Sequence, residues 1–335
     1  MPSLKLTASA PQKEVITHLE VLDVTGDGKD NIVVGSISGS IRVFDYLDDN
    51  GKLKELAHLS DLIPISTLGV GDVTGNGTPD FVVGGLDNTL KVVSFVKNKL
   101  ELKGDTPLGN LPTAIVVANV MDDKKAEVIV ATNDKALRCY GWFGSFLDKL
   151  AHKVVERPVF SMMPLYMEGT PYSRFVFGDD SETLYLYQYA DDRLHEIADA
   201  KVNGEVNLVA AGRVTGNRLD EVVTASNGRH ITLFNVGSKP IETLAKIRAP
   251  NDVTSVRMGN ILKNSKSSGQ ILVSLANSKL SILALEGKEL FEEASLKNTG
   301  KSAESIVAFG DIDADGNVEI VQAVGNMLHF VTIEQ

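Results

Sequence analysis

The sequence predicts an all-β fold: a single seven-bladed β-propeller with four-stranded blades, closed by an N-terminal strand. Three observations carry this reading. A turn-and-strand pattern recurs along the whole chain. Each recurrence contains four short β-like stretches. The last unit is one strand short, while a strand at the N-terminus has no unit of its own.

The recurrence is plainest in DVTGDGKDNIVVG from Asp23, DVTGNGTPDFVVG from Asp72, RVTGNRLDEVVTA from Arg213 and DIDADGNVEIVQA from Asp311. NVMDDKKAEVIVA from Asn119 is a weaker copy, and RFVFG from Arg174 and QILVS from Gln270 mark two more. The first apolar residue of the strand after the turn is Ile32, Phe81, Val128, Phe175, Val222, Ile271 and Ile320, in steps of 49, 47, 47, 47, 49 and 49 residues. In the first unit the strands read as 16–24, 31–37, 40–46 and 53–59, rich in Ile, Val, Leu, Phe and Tyr and joined by Gly, Asn and Asp. No unit contains a helical stripe, so crossover helices and a parallel sheet are excluded. The units span about 16–59, 65–104, 113–156, 159–202, 205–249, 253–296 and 304–333, and residues 4–9 are expected to complete the last blade. The alternative for residues 4–9 is a loose tail.

Composition narrows the function classes. Hydrophobic residues make up 43%, enough for packed cores. Lys plus Arg number 33 against 44 Asp plus Glu, and the net charge of -11 disfavours a general grip on nucleic acid. A single cysteine, Cys139, allows no internal disulfide. No apolar run is long enough to span a bilayer and no leader is evident, so direct membrane insertion is not expected and the expected location is cytoplasmic.

The sharpest chemistry lies in the turns between first and second strands. The last unit offers Asp311, Asp313, Asp315, Asn317 and Glu319 about Gly316. Such an oxygen-rich turn suits calcium in a structural role, and its carboxylates would repel one another without a cation. The first unit offers Asp23, Thr25, Asp27, Lys29 and Asn31, with Asp30 expected to point away. The second offers Asp72, Thr74, Asn76, Thr78 and Asp80. The third, with Asn119, Met121, Asp123 and Glu127, and the fifth, which begins at Arg213, are poorer. The competing reading is that these side chains close the turns through backbone amides, with no ion.

These turns and strands resemble the FG-GAP family. The segment Asp-x-(Asn/Asp/Thr)-Gly-(Asp/Asn)-Gly stands at Asp23–Gly28 and Asp72–Gly77, and the strands that follow end in Gly35 and Gly84. FG-GAP repeats occur in integrin α-subunit propellers and in intracellular assemblies, including the KICSTOR complex and the Bardet–Biedl ciliary coat. The resemblance implies calcium at the three loops above and a scaffold that binds protein partners.

Enzyme signatures are weak. His18, His58, His152, His195, His230 and His329 are scattered, Cys139 lies in a strand pattern, and no phosphate-binding loop precedes a helix. No specific small-molecule substrate is indicated. The runner-up function is a carbohydrate-binding or catalytic propeller that uses its channel mouth or a metal loop. Two loops stand out as docking candidates. Gly141-Trp142-Phe143-Gly144-Ser145-Phe146 replaces the polar turns found elsewhere, and Trp142, Phe143 and Phe146 are expected to share one exposed side as a protein-binding anchor. Their alternative is a satellite core. Lys263 and Lys266 lie in a stretched turn of the sixth unit that would contact an acidic partner or stay solvated.

Overall fold

The computed structural model describes residues 2–334 apart from 49, 122, 124, 171, 172, 218, 238, 266 and 298–304. Lys266 and Glu304 therefore lie outside the described residues. The chain forms seven antiparallel four-stranded sheets, as the repeat count requires.

The first strand, β1 (Ser3–Pro11), stands apart from the blade that follows it. Blade 1 is β2 (Ile16–Leu22), β3 (Asn31–Ser36), β4 (Ile41–Asp48) and β5 (Lys52–Leu59). Blade 2 is β6 (Ile65–Gly71), β7 (Asp80–Gly85), β8 (Thr89–Val96) and β9 (Lys99–Pro107). Blade 3 is β10 (Pro112–Ala118), β11 (Glu127–Thr132), β12 (Ala136–Trp142) and β13 (Leu147–Val154). Blade 4 is β14 (Val159–Leu165), β15 (Arg174–Asp179), β16 (Thr183–Ala190) and β17 (Arg193–Lys201). Blade 5 is β18 (Val206–Gly212), β19 (Glu221–Ser226), β20 (His230–Asn235) and β21 (Glu242–Arg248). Blade 6 is β22 (Val253–Gly259), β23 (Gln270–Leu275), β24 (Leu280–Glu286) and β25 (Glu289–Leu296). Blade 7 is β26 (Ser305–Gly310), β27 (Glu319–Val324) and β28 (Met327–Glu334), completed on its outside by β1 in the order β1-β28-β27-β26.

Burial follows strand position. The second strands are buried along their whole length in every blade except for Arg174, so apolar residues follow one another after a polar first residue instead of alternating with exposed ones. The outer strands alternate, with β5, β9 and β17 showing water one face. The cores lie between blades. One holds Ile129, Leu137 and Cys139 of blade 3 with Phe175, Phe177 and Tyr187 of blade 4.

Hydroxyls stitch neighbouring inner strands around the ring. Ser66 donates to the carbonyl of Pro112 at 3.0 Å, and Ser161 accepts the N–H of Val209 at 2.9 Å. Thr113 donates to the carbonyl of Val159 at 2.6 Å, and Ser255 accepts the N–H of Val307 at 3.3 Å. Because strands alternate in direction, the turns between first and second strands share a face with the hairpins between third and fourth strands. That face carries both the acidic loops and the aromatic hairpin.

Closure rests on β1, which runs antiparallel to β28 from Ser3↔Glu334 to Pro11↔Met327 with a bulge between Leu6 and Ala8. Leu4 and Ala10 are buried there. Deleting Ser3–Pro11 should lower the melting temperature and strip amide-exchange protection from β28 while sparing β19. Unchanged exchange in β28 would show that β1 does not hold the seam.

Candidate functional site: the acidic loop face

One buried polar residue organises the loop in six of the seven blades. The residue before the first apolar position of the second strand is Asn31, Asp80, Glu127, Glu221, Gln270 or Glu319 in six blades, and each is at most 5% exposed. Its side chain turns inward and accepts a loop amide. Asn31 takes the N–H of Val24 at 3.0 Å, Asp80 that of Thr74 at 2.8 Å and Glu127 that of Val120 at 2.9 Å. Glu221 takes that of Val214 at 2.7 Å, Gln270 that of Leu262 at 2.7 Å and Glu319 that of Ile312 at 3.3 Å. A buried amide left without a partner would cost about 1–3 kcal/mol, so this residue fixes the turn. Blade 4 has Arg174 at this place, and its loop is tied instead through Ser173, which donates to the carbonyl of Asn119 at 2.7 Å.

Three expected metal ligands therefore serve as turn caps. Asn31 also donates to Asp45 at 2.7 Å, and Asp80 also accepts from Ser94, which leaves both engaged inside the blade. Glu319 points to Ile312. In the first loop Asp23 accepts the amides of Gly26 and Gly28, both at 2.7 Å. Burial would raise its pKa, but these amides hold it below the ordinary value. Asp27 accepts the N–H of Lys29 at 3.0 Å, Thr25 donates to Asp23 at 3.4 Å, and the ammonium of Lys29 reaches the carbonyl of Tyr46 at 2.6 Å. In the second loop Asp72 accepts the amides of Asn76 and Gly77 at 2.9 and 2.8 Å, and Asn76 accepts the N–H of Thr78 at 2.8 Å. Both loops are closed by their own hydrogen bonds.

Blade 7 is different. Asp311, Asp313 and Asp315 each bring a carboxylate oxygen within 4.8 Å of the others. Asp311 accepts the amide of Gly316 with one oxygen, at 2.9 Å, while its Oδ1 is buried without a hydrogen bond. Ala314 and Gly316 take positive φ to bend the chain around the cluster. Asn317 caps Asp315 at 2.6 Å through its own N–H and accepts Lys263 at 2.8 Å. Burial pushes Glu319 up to about 8, and the charges of Asp313, Asp315 and Asp311 add to the effect. An orphaned carboxylate oxygen beside converging acids fits a hard cation.

The side chain of Asp30 is directed from its own loop toward blade 7. It reaches across the closure seam, donating its N–H to the carbonyl of Asp311 at 3.1 Å and accepting the N–H of Asp311 at 2.9 Å.

The aromatic hairpin divides. Phe143 and Phe146 are 55% and 49% exposed and stack on each other, with ring centroids 6.4 Å apart. Trp142 does not join them. It is 9% exposed and packs between blades 2 and 3 with Leu147 and Tyr140. A Cβ on Gly104 of β9 would lie 2.9 Å from the indole, so glycine makes room for it. The shared exposed side expected for all three rings holds only for the two phenylalanines.

The channel carries an ion pair. Arg257 of β22 reaches past blade 7 to Glu20 of β2 at 3.0 Å. Beside them burial, with the charge of Arg257, pulls His18 down to about 4. Burial pushes the Cys139 thiol far up. The six histidines sit in blades 1, 3, 4, 5 and 7.

Residues 23–83 match the family model of the FG-GAP-like repeat. The chain carries an FG-GAP-like repeat. That stretch covers the first and second acidic loops, β3 to β5 of blade 1, and β6 with most of β7 in blade 2. The whole chain is similar to BBS1N in the crystal structures of BBS1N in complex with ARL6DN. The lead-soaked structure gives a TM-score of 0.72 and the mercury-soaked one 0.70, each with 11% identity over 98% of this chain and 97% of that one. Identity this low is a likeness of fold. In all, 1380 chains of solved structures match, so this chain shares a widespread architecture that does not by itself select a function. No curated protein matches the sequence.

The caps generate a prediction. Burial pushes Glu127 from the ordinary 4.5 up to about 7, with the charge of Asp123 adding to it. Between those values the folded state holds a proton that the unfolded chain has lost, so stability falls as pH rises from 4.5 to about 7. Glu127→Gln should keep the cap, as Gln270 does in blade 6, and remove that loss. Melting at pH 5 and pH 8 checks it: the native protein should lose more than the variant, and parallel losses would refute it.

Proposed function

We propose that this propeller is a non-enzymatic, protein-binding scaffold of an intracellular, cytoplasmic assembly, and that its acidic loop face docks a partner. The observation that carries this reading is the stacked, half-exposed pair Phe143 and Phe146 on a hairpin beside the loops. Aromatic anchors at a surface commonly supply the centre of a protein interface, with a polar rim around them. The likeness to BBS1N supports it, because that propeller was crystallised in complex with ARL6DN. The net charge of -11 sets nucleic acid aside as partner. The channel and thiol chemistry point the same way. Arg257 and Glu20 occupy each other, and Cys139 is buried with its thiolate disfavoured.

Calcium belongs to this reading as a structural ion of the last loop, held by Asp311, Asp313 and Asp315. It would supply the positive charge that the three carboxylates lack, and it would do so next to the seam where Asp30 meets Asp311. The first loop, with Asp23, Thr25, Asp27, Lys29 and Asn31, and the second, with Asp72, Thr74, Asn76, Thr78 and Asp80, stay as further calcium candidates, although their own hydrogen bonds already close them.

Two experiments follow. Affinity capture from the native cell should recover a partner with the native protein and lose it with Phe143→Ser and Phe146→Ser, while circular dichroism and melting stay unchanged. Equal capture by a folded variant would remove the hairpin from the interface. A calcium titration should raise the melting temperature of the native protein, since binding to the folded state alone stabilises it. Asp313→Asn with Asp315→Asn should abolish that rise, and an equal rise in the variant would place the ion elsewhere.

A further inference from the structure

A second site lies away from the acidic loops, in the crevice between blades 3 and 4. The crevice has a volume of about 420 Å³, within the range of about 300–1,000 Å³ typical of binding pockets. Its wall is aromatic. Phe177 stacks on Tyr185 with centroids 5.1 Å apart, and Tyr187 lies 5.1 Å from Phe177. Glu156, Glu196 and Asp199 with one cation, Lys153, complete its lining, together with Asp179, which is buried and accepts from Ser181.

The repeat sets this crevice against those of blades 1 to 3; in blades 5 to 7 the register below holds Thr232, Ser281 and His329. Arg42, Lys91, Arg138 and Tyr185 occupy one register in the third strands of blades 1 to 4. Each stands two residues before the partner of the first apolar residue of the second strand, Phe44, Val93, Tyr140 or Tyr187. In blades 1 to 3 that residue is a cation with acids of its own. Arg42 pairs with Glu55 at 2.8 Å, Lys91 with Asp105 at 3.5 Å, and Arg138 with Asp134 at 2.5 Å.

Blade 4 retains two of these acids. Glu196 stands opposite Tyr187 as Glu55 stands opposite Phe44, and Asp199 stands opposite Tyr185 as Asp105 stands opposite Lys91. The cation itself has been replaced by the ring of Tyr185. Glu196 accepts the hydroxyl of Tyr187 at 3.1 Å. Among the described residues neither Glu196 nor Asp199 forms an ion pair with a lysine or arginine. Lys201, on the same outer strand, is held by Thr183 at 2.8 Å.

We propose that this crevice receives a cationic side chain, arginine or lysine, from a partner protein, which takes the place of the cation that blades 1 to 3 carry in their own chain. The ring of Tyr185 offers its face to the cation, and Glu196 and Asp199 accept its N–H groups. A guanidinium can do both at once, because it is planar and forked. The site is independent of the Phe143 hairpin, which lies on the loop face.

The test is fluorescence anisotropy with a labelled nonapeptide of alternating glycine and arginine, alongside lysine and glutamate versions. The arginine peptide, the lysine peptide or both should bind, their ranking identifies the better cation, and the glutamate peptide should not bind. Glu196→Gln with Asp199→Asn keeps the side-chain shapes and should weaken binding roughly tenfold or more. Tyr185→Ser should weaken it as well, and Tyr185→Phe should not. Glu286→Gln with Glu289→Gln, remote in blade 6, removes the same charge and should leave binding unchanged. Equal losses in the two charge variants would reduce the effect to the general acidity of the chain and overturn the proposal, as would no binding by either cationic peptide. If Tyr185→Ser lowers the melting temperature, the isosteric acid variant decides.

Discussion

The fold depends on a buried hydrogen bond made in six of the seven blades. A polar side chain at the start of the second strand has no access to water and must find a partner within the blade. The partner is an amide of the preceding turn. Asn, Asp, Glu and Gln all make this bond, so the position demands an acceptor and not a charge. Where the acceptor is a carboxylate, burial raises its pKa in Asp80, Glu127 and Glu319. The same bond sets the turn geometry that presents acids to solvent, and so it precedes any metal chemistry there.

Around that bond the loops diverge. Asp23 and Asp72 spend both oxygens on backbone amides. Asp311 spends one oxygen and keeps the other in a buried position without a donor. Loops of similar sequence therefore differ in how their first carboxylate is engaged, and three carboxylates converge only in the last loop among the described residues. The seam reinforces it, since the backbone of Asp311 is also the contact for Asp30.

Much of the fold is legible in the sequence because repetition supplies its own alignment. The strand after each turn is apolar at a constant step, and the missing outer strand follows from counting. The loop ligands are only partly legible. Asn31, Asp80 and Glu319 have ligand chemistry, yet they share a register with Gln270 and Glu221, in turns that lack the acidic pattern. Comparing the residue before each first apolar position would have exposed their common capping role. Trp142 was illegible for another reason. Its burial depends on Gly104 in a neighbouring blade, a contact between residues of different repeats that no local pattern encodes. The crevice acids were hidden likewise, since Glu196 and Asp199 look like ordinary outer-strand residues until Tyr185 is set beside Arg42 and Lys91.

The pairing of β1 with β28 also orders events in time. Most strands of this molecule join a neighbour made just before or just after them. β1 must wait for a partner made more than three hundred residues later. Closing so long a loop is slow, whereas each blade's own hairpins are local. During synthesis β1 is an unpaired edge, and β28 stays open until β1 arrives. Two chains that meet in that interval can exchange β1, each completing the other's ring with the same contacts. The device that seals the monomer thus offers a route to an intertwined dimer, favoured by crowding on the ribosome and disfavoured by dilution.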